Sequence, residues 1–291
     1  MKYSYASVAL PTLSPQEAIF ALSDAGYKGV EWKVGEAPHA MSSTANSFLQ
    51  GNKCTLPLDP RAGAQARLWC EEAGLTVVGL APYVEMGNLN ALVAALDMAV
   101  SAGAPQIRVQ GSRFSPGGPT YRRLFAEALS FFCIAEREAA RRKIRIAVEI
   151  HHNTIFASAS LVHRLVSNFD PAVIGVIYDV GNMVYEGYED HRIGMDLLGP
   201  YLHHVHLKNA AAFPDELRAN GIQKWRNRWT PLDEGLVNVK DFLLALEAGG
   251  YNGWISLEDL STERDPLSTL KYNAGVLNAL GAPGWGALIA S

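Results

Sequence analysis

"RIAVEIHHN", residues 145–153, begins as a buried β-strand and ends in ionisable side chains. Three apolar residues, 146–148, are followed directly by Glu149 and then by the histidine pair His151 and His152. A carboxylate costs several kcal/mol to bury unless it is paired with a charge or bound to a metal ion. We therefore interpret this stretch as a core strand that ends at a functional site.

Seven further segments share the short, apolar character of this strand and are rich in Val, Ile and Tyr. They are residues 3–10, 29–34, 76–84, 106–110, 173–180, 202–209 and 254–260. Between the strands, apolar residues recur at three- and four-residue spacing, which predicts helices over 15–26, 66–74, 89–103 and 121–143. Strands that alternate with helices form parallel sheets, and eight such units in 291 residues predict a (β/α)8 TIM barrel. A doubly wound open sheet is the alternative, which is weakened because no GxGxxG follows the first strand.

The chain shows no linker rich in Pro, Gly or Ser, so we predict a single domain over residues 1–291. Two long loops are expected, near 35–62 and 209–235, and loops of this length are usually functional or disordered. The second contains Trp225 and Arg228 in a cluster of aromatic and basic residues. We predict that this cluster either covers a ligand or fixes the loop to the surface.

Composition predicts a soluble cytoplasmic protein. The net charge is −4 and 48% of the residues are hydrophobic, which gives no reason to expect a nucleic-acid or membrane partner. The three cysteines are odd in number and form no CxxC pattern, so we expect reduced thiols. The N-terminus lacks the apolar run of a secretory signal, and no stretch reaches the ~18 apolar residues of a membrane span.

Four late strands each carry a metal-ligand type of residue near the carboxyl end. These residues are Glu149, Asp179, His206 and Glu258. Side chains from adjacent strand ends converge at this face of a barrel, and three carboxylates there would repel one another. A divalent cation removes that repulsion. We therefore predict a site for one divalent metal ion, Mn²⁺ first, with Mg²⁺, Co²⁺ or Zn²⁺ as alternatives.

Side chains along a strand alternate between its two faces, which predicts the face on which each neighbouring residue lies. Lys208 shares the inward face of His206, where its ammonium either holds a substrate oxygen or is solvated at the rim. His204 shares this face at a deeper position and is expected as a core imidazole, with support of the metal ligands as the alternative. His152 faces away from Glu149 and is expected to be structural.

The segments "VEIHHNT", "YDVGN", "HVHLKN" and "LDEGLVNVKDFLLALEAGGYNGWISLE" resemble the xylose-isomerase-like TIM barrels, which include ketose 3-epimerases, inosose dehydratases and the endonuclease IV group. The resemblance implies the same four metal ligands, and it makes Glu31 a residue that supports them. One departure is Asn182, which stands where many relatives have a histidine that contacts substrate or zinc. The resemblance thus implies substrate binding by Asn182. The replacement of that histidine by asparagine disfavours a trinuclear phosphodiesterase site.

The leading hypothesis is a metal-dependent isomerase or epimerase acting on a sugar, ketose or cyclitol through an enediolate. Glu149 and Glu258 would remove and return the proton, with His151 as an alternative base. Arg108 and Trp32 are further candidates for sugar contacts, together with the cluster that contains Trp225 and Arg228.

Two alternatives remain open. A lyase would eliminate a group from an oxidised substrate, as in dehydration of an inosose or cleavage of a 3-oxo-glycoside. A non-catalytic sugar-binding barrel would bind its ligand without exchanging a carbon-bound proton. In each case the expected partner is a small sugar or glycoside. We also expect a homo-oligomer, or a hetero-oligomer with a small subunit if the enzyme cleaves glycosides.

Overall fold

Eight parallel strands close into a barrel in the computed structural model, which describes residues 1–35, 48–49 and 51–286. The described strands are β1 (Lys2–Ala6), β2 (Gly29–Gly35), β3 (Thr55–Pro57), β4 (Thr76–Pro82), β5 (Gln106–Gln110), β6 (Arg145–Glu149), β7 (Ile174–Asp179), β8 (Leu202–Leu207), β9 (Asn209–Leu217), β10 (Gln223–Thr230) and β11 (Trp254–Leu257). The barrel runs β1, β2, β4, β5, β6, β7, β8 and β11, and β11 pairs with β1 to close it. The predicted TIM barrel is confirmed, and the open sheet is excluded.

Helices surround this barrel. They are α1 (Pro15–Asp24), α2 (Pro60–Glu72), α3 (Leu89–Ala102), α4 (Tyr121–Arg142), α5 (Ala159–Val166), α6 (Val180–Tyr185), α7 (His191–Leu198), α8 (Val239–Ala248) and α9 (Pro266–Ala279). The predicted helix over 66–74 begins earlier, at Pro60, because the Asp59 side chain accepts a hydrogen bond from the first turn and proline favours that position. Among the described residues, none of the helices has the length and apolarity that crossing a membrane requires.

The apolar core lies between the barrel and its helices, and the barrel interior is polar. Ile146 and Val148 belong to that core, whereas Ala147 and Glu149 alternate with them and face inward. Ser4, Ser256 and other buried polar residues share the interior. The apolar part of the 145–150 strand therefore anchors the helices from outside the barrel.

The segment expected as a long loop near 209–235 is largely an antiparallel β-hairpin. Strands β9 and β10 pair with Trp229 opposite Ala210 and Trp225 opposite Pro214. The prediction of a loop was wrong here because this hairpin is not a barrel strand and lacks a buried apolar face. Of the other expected loop, 35–62, residues 36–47 and 50 lie outside the described residues, and the remainder includes β3.

Asn209 holds the base of this hairpin. Its Nδ2 donates hydrogen bonds to the carbonyl oxygens of Leu232, at 2.8 Å, and Val237, at 3.0 Å. Its Oδ1 accepts from the N–H of Val237, at 3.0 Å. Gly235 lies against the same amide, and a Cβ built on it would be 2.0 Å from Asn209 Oδ1. The chain therefore requires glycine at this position for the hairpin to return to the barrel.

We predict that Gly235→Ala lowers the free energy of unfolding by about 1–3 kcal/mol, because the added methyl overlaps the buried Asn209 amide. Urea titration followed by circular dichroism measures this change. Gly275→Ala is the matched control, since no atom lies within 4 Å of a Cβ at this helical position. We expect the control to raise stability by about 0.5–1 kcal/mol through helix propensity. Equal stability of Gly235→Ala and the wild type would contradict the packing described here.

Candidate metal centre

Four potential metal ligands converge at the carboxyl end of the barrel. Glu149 ends β6, Asp179 ends β7, His206 lies in β8 and Glu258 follows β11. Asp179 and His206 are direct neighbours in the sheet register. One ligand atom of each residue lies within 4.8 Å of the others, and all four side chains are buried. The structure thus brings together the four residues that the strand-end positions singled out, and we refer to them as the tetrad.

The spacing of the tetrad fits a single cation. His206 Nδ1 lies 3.2 Å from Glu149 Oε1, 3.4 Å from Asp179 Oδ2 and 3.6 Å from Glu258 Oε2. Metal–ligand bonds of about 2.0–2.2 Å in a tetrahedral site place the ligand atoms about 3.4 Å apart. Asp179 Oδ2 is buried and lies between two cationic donors, 2.8 Å from Lys208 Nζ and 3.4 Å from His206 Nδ1. Both the distances and the three carboxylate oxygens suit a divalent metal ion.

Glu31 orients the histidine of the tetrad. Its Oε2 lies 2.8 Å from His206 Nε2, so the Nε2–H donates to Glu31 and Nδ1 faces the three carboxylates. The same oxygen lies 3.2 Å from Nε2 of His204, which also contacts Ser256 Oγ at 2.9 Å. Glu31, His204 and His206 form a second group of possible ligands, but it has only one carboxylate. We therefore place Glu31 and His204 behind the tetrad as its support.

Buried charges shift the pKa values of Glu31 and His206 in opposite directions. Burial favours neutral forms, but His206 and His204 outweigh it and hold the pKa of Glu31 well below its usual range. Burial likewise opposes protonation of His206, but Glu31, Asp179 and Glu149 raise its pKa well above the usual value. A protonated His206 is therefore favoured, and a metal ion must displace a proton to bind Nδ1.

Two further cations contact the tetrad. Arg108 Nη1 donates to Glu149 Oε2 at 2.9 Å, and this charge outweighs burial and keeps the pKa of Glu149 well below its usual range. Lys208 Nζ lies 2.8 Å from Asp179 Oδ2 and also pairs with Glu258. Burial lowers the pKa of Lys208, but these carboxylates raise it above the ordinary value. Both residues therefore lie at the tetrad, and Lys208 is buried rather than solvated at a rim.

An aromatic wall borders the site. His152 stacks on His151 and on Tyr185, with ring centroids 4.5 Å and 4.6 Å apart. Trp229 of the hairpin lies 4.4 Å from Tyr185 between centroids, and the Lys208 ammonium is 4.9 Å from the Trp229 ring. His152 thus belongs to the site, contrary to its expected structural role. Strand alternation ends at Glu149, and the chain turns at Asn153 with a φ of 60°, so alternation did not assign His152 correctly.

Asn182 sets the tautomer of His152. The Asn182 side chain is buried, and its Nδ2 donates to the carbonyl oxygen of Ile150 at 3.2 Å. Its Oδ1 lies 2.7 Å from His152 Nδ1 and must accept a hydrogen bond from the Nδ1–H. The free lone pair of the neutral imidazole is then on Nε2. Asn182 therefore positions His152, and substrate binding by its amide stays a prediction.

Two predicted sugar contacts lie away from the tetrad. Trp32 is fully buried on the outer face of β2, opposite the inward Glu31, so it cannot reach a ligand in the site. Arg228 lies over Phe213, 4.2 Å from its ring centroid, on the hairpin face opposite Trp229. Trp225 shares the face of Trp229 but is 62% exposed, so its contact with a ligand stays a prediction.

Lys33 is a site residue that sequence reasoning missed. It is the next inward position after Glu31, and strand alternation could have identified it. Its ammonium and the Arg108 guanidinium each lie 4.9 Å from the Tyr83 ring centroid. Burial and the charge of Arg108 lower the pKa of Lys33. The space that these side chains border measures only about 10 Å³, so a sugar requires movement of exposed groups such as Tyr83.

A known protein family matches most of this chain. The family model described as xylose isomerase-like TIM barrel matches residues 19–280. The inosose dehydratase of Geobacillus thermodenitrificans is 29% identical over 133 residues, which cover 44% of this chain and 43% of that relative. The match therefore spans less than half the length of this curated relative.

Solved structures resemble nearly the whole chain. The probable 3-DHS dehydratase AsbF from Bacillus anthracis has a TM-score of 0.72 at 17% identity, over 96% of this chain and 99% of that one. The 3-keto-D-glucoside 4-epimerase YcjR from E. coli has a TM-score of 0.70 at 15% identity, with the same coverage of 96% and 99%. At these identities the likeness shows the fold.

We predict that Asp179→Asn lowers the affinity for Mn²⁺ at least about 100-fold, because it removes the negative charge of a buried ligand of the tetrad. Isothermal titration calorimetry on chelator-treated protein measures the affinity. Asp190→Asn is the matched control, since Asp190 caps α7 at the surface. Wild-type affinity in Asp179→Asn would contradict the assignment of the tetrad.

We also predict that Mn²⁺ binding releases about one proton, because His206 is held protonated and must lose Nδ1–H to bind the metal. The apparent affinity then falls about tenfold for each unit by which the pH is lowered below the raised pKa of His206. Calorimetry in buffers of different ionisation enthalpy counts the protons. Binding without proton release would show that Nδ1 is not a ligand.

Proposed function

The chain belongs to the xylose isomerase-like TIM barrel family, and from this premise we propose that it is a divalent-metal-dependent enzyme that removes a proton next to the carbonyl of a keto-sugar or keto-cyclitol. The observation that carries the proposal is the buried tetrad, whose ligand atoms lie within 4.8 Å of one another. It stands at the carboxyl end of the barrel, where the active sites of this fold assemble.

Glu149, Asp179, His206 and Glu258 would hold the cation, and Glu31 would fix the His206 tautomer through its 2.8 Å contact. Three carboxylates and one imidazole suit Mn²⁺ first, with Mg²⁺, Co²⁺ or Zn²⁺ as alternatives. When bound, such a cation polarises a carbonyl group and stabilises the negative charge that develops on its oxygen during deprotonation.

His152 is the group that we assign as the general base. Burial and the neighbouring His151 lower its pKa, so that its imidazole is neutral near pH 7. Its Nδ1–H is held by Asn182 at 2.7 Å, which leaves the lone pair of Nε2 for a substrate proton. His151 stacks on this ring and remains an alternative base, with its own Nδ1 held by the carbonyl oxygen of His152 at 2.7 Å.

Elimination is the outcome that the charges favour. His152 takes the C–H proton, the electron pair forms the new double bond, and the C–O bond at the next carbon breaks. The same imidazolium returns its proton to the leaving oxygen, so that one residue balances both transfers. Glu149 is a weak base because Arg108, 2.9 Å away, holds its pKa well below the usual range. The partial similarity to inosose dehydratases supports this outcome.

Epimerisation is the second candidate, and the positions of two carboxylates favour it. Glu149 and Glu258 stand at the ends of β6 and β11, with β7 and β8 between them. They are thus placed to reach a substrate carbon from different sides, as removal and return of a proton on opposite faces requires. The same deprotonation would then end in an isomer.

The rim suits a polyhydroxylated substrate. Lys33, Arg108 and Lys208 supply buried cationic donors for hydroxyl and carbonyl oxygens. Tyr185 and Trp229 supply the aromatic wall against which one face of a ring could pack. Both features support a sugar or a cyclitol as the partner, and oligomer formation stays a prediction.

We predict that Mn²⁺-loaded protein converts an inosose or another ketose of a test panel to a product lighter by one water, or a 3-oxo-glucoside to a product lighter by its aglycone alcohol. Chromatography with mass spectrometry of incubations in D₂O detects both the loss of mass and solvent deuterium. His152→Gln should reduce kcat by about 10²-fold or more, because the proton acceptor is lost. His163→Gln on α5 is the matched control and should keep wild-type kcat.

Each other result has a definite meaning. An isomer of equal mass that carries deuterium would select epimerisation over elimination. Sugar binding that persists in Asp179→Asn, with no deuterium incorporated by the wild type, would favour the non-catalytic sugar-binding barrel. Full activity of His152→Gln would refute the assignment of the base while leaving the metal centre intact.

A further inference from the structure

A second cavity, of about 630 Å³, opens at the amino-terminal end of the barrel, opposite the tetrad. Its lining includes Gln106, Arg145 and Trp254, which are the first residues of β5, β6 and β11. Residues of α7 and β8, with the carboxyl end of α8 and the loop that follows it, form most of the remaining wall. The volume lies within the range of about 300–1,000 Å³ that is typical of small-molecule sites. The proposed enzyme mechanism makes no use of this cavity.

Arg145 is the more buried of the two arginines that line this cavity. Its guanidinium, like that of the exposed Arg192, has no hydrogen-bond or ion-pair partner within residues 1–35, 48–49 and 51–286. Burial lowers the pKa of Arg145, which shows the cost of keeping this charge in the barrel. A guanidinium in this setting is suited to bind a planar or tetrahedral oxyanion through paired hydrogen bonds.

Two buried acceptors lie beside this cation. Gln106 Oε1 has no hydrogen-bond partner among the described residues, although Gln106 is only 4% exposed. His203 Nε2 donates to the carbonyl oxygen of Pro171 at 2.7 Å, which leaves Nδ1 as an acceptor, also without a partner. Buried polar atoms are normally satisfied, so these two call for donors such as hydroxyl groups.

The charge of the lining favours an anion. Arg145 and Arg192 face one carboxylate, that of Asp196, so the arginines of the lining outnumber its carboxylates. His203 is neutral near pH 7 because burial lowers its pKa to about 4. The lining therefore combines a net positive charge with acceptors for hydroxyl groups.

We propose that this cavity is a second ligand site, which binds a small polyhydroxylated oxyanion with its anionic group on Arg145 and its hydroxyl groups on Gln106 and His203. The ligand is a polyol that bears a carboxylate or a phosphate. The site lies at the end of the barrel away from the tetrad, so this proposal does not rest on the proposed function.

Four polyols of matched size test this proposal by isothermal titration calorimetry on metal-loaded protein: gluconate, sorbitol 6-phosphate, neutral sorbitol and cationic N-methylglucamine. We expect gluconate or sorbitol 6-phosphate to bind at least about tenfold more tightly than the other two. The comparison of these two anions tells whether the site takes a carboxylate or a phosphate. Arg145→Gln should weaken the binding of the anion at least about tenfold.

Three further variants locate the site. Arg145→Lys keeps the charge and should retain part of the affinity. It therefore serves as the control for misfolding of Arg145→Gln. Asp196→Asn removes the carboxylate of the lining and should tighten binding. Arg108→Gln removes the cation at the tetrad and should leave anion binding unchanged.

Two results would overturn the proposal. The first is that both anions bind no more tightly than sorbitol. The second is a loss of anion affinity in Arg108→Gln that is not seen in folded Arg145→Gln, which would place the anion at the metal centre.

Discussion

The rest of the site depends on the neutralisation of buried carboxylates at one end of the barrel. Glu149, Asp179 and Glu258 lie around one imidazole nitrogen at 3.2–3.6 Å, and Glu31 holds the other nitrogen. Such a concentration of negative charge is too costly to bury unless cations compensate it. His206, Arg108 and Lys208 supply part of that charge, and the distances accommodate a divalent ion that would supply the remainder.

This constraint explains why the apolar core lies outside the barrel. Ile146 and Val148 pack towards the helices, while the inward positions of the same strand carry Glu149 and Arg145. The interior thus has a metal centre at its carboxyl end and an unpaired arginine at its amino end. His204 lies between them, with Nε2 on Glu31 at 3.2 Å and its ring in the lining of the second cavity. The polar interior therefore supports two separate sites in one barrel.

Strand positions in the sequence were sufficient to predict the barrel and the convergence of the tetrad. Each tetrad residue follows an apolar run, and parallel strands bring their carboxyl ends to one rim. Alternation failed for His152, because the chain leaves the strand after Glu149 and turns at Asn153. The same alternation places Trp32 away from the site and Lys33 towards it.

The sequence by itself determined the eight-stranded fold and which carboxylates and imidazole meet, because side-chain alternation and strand order are local, repeating properties. Only the tertiary structure decided what surrounds them. The hairpin of β9 and β10 brings Trp229 beside Tyr185, and Asn182 fixes the proton of His152 at 2.7 Å. These contacts join residues 30 or more positions apart through turns and ring packing. Their geometry depends on the closed barrel as a whole, and no local pattern encodes it.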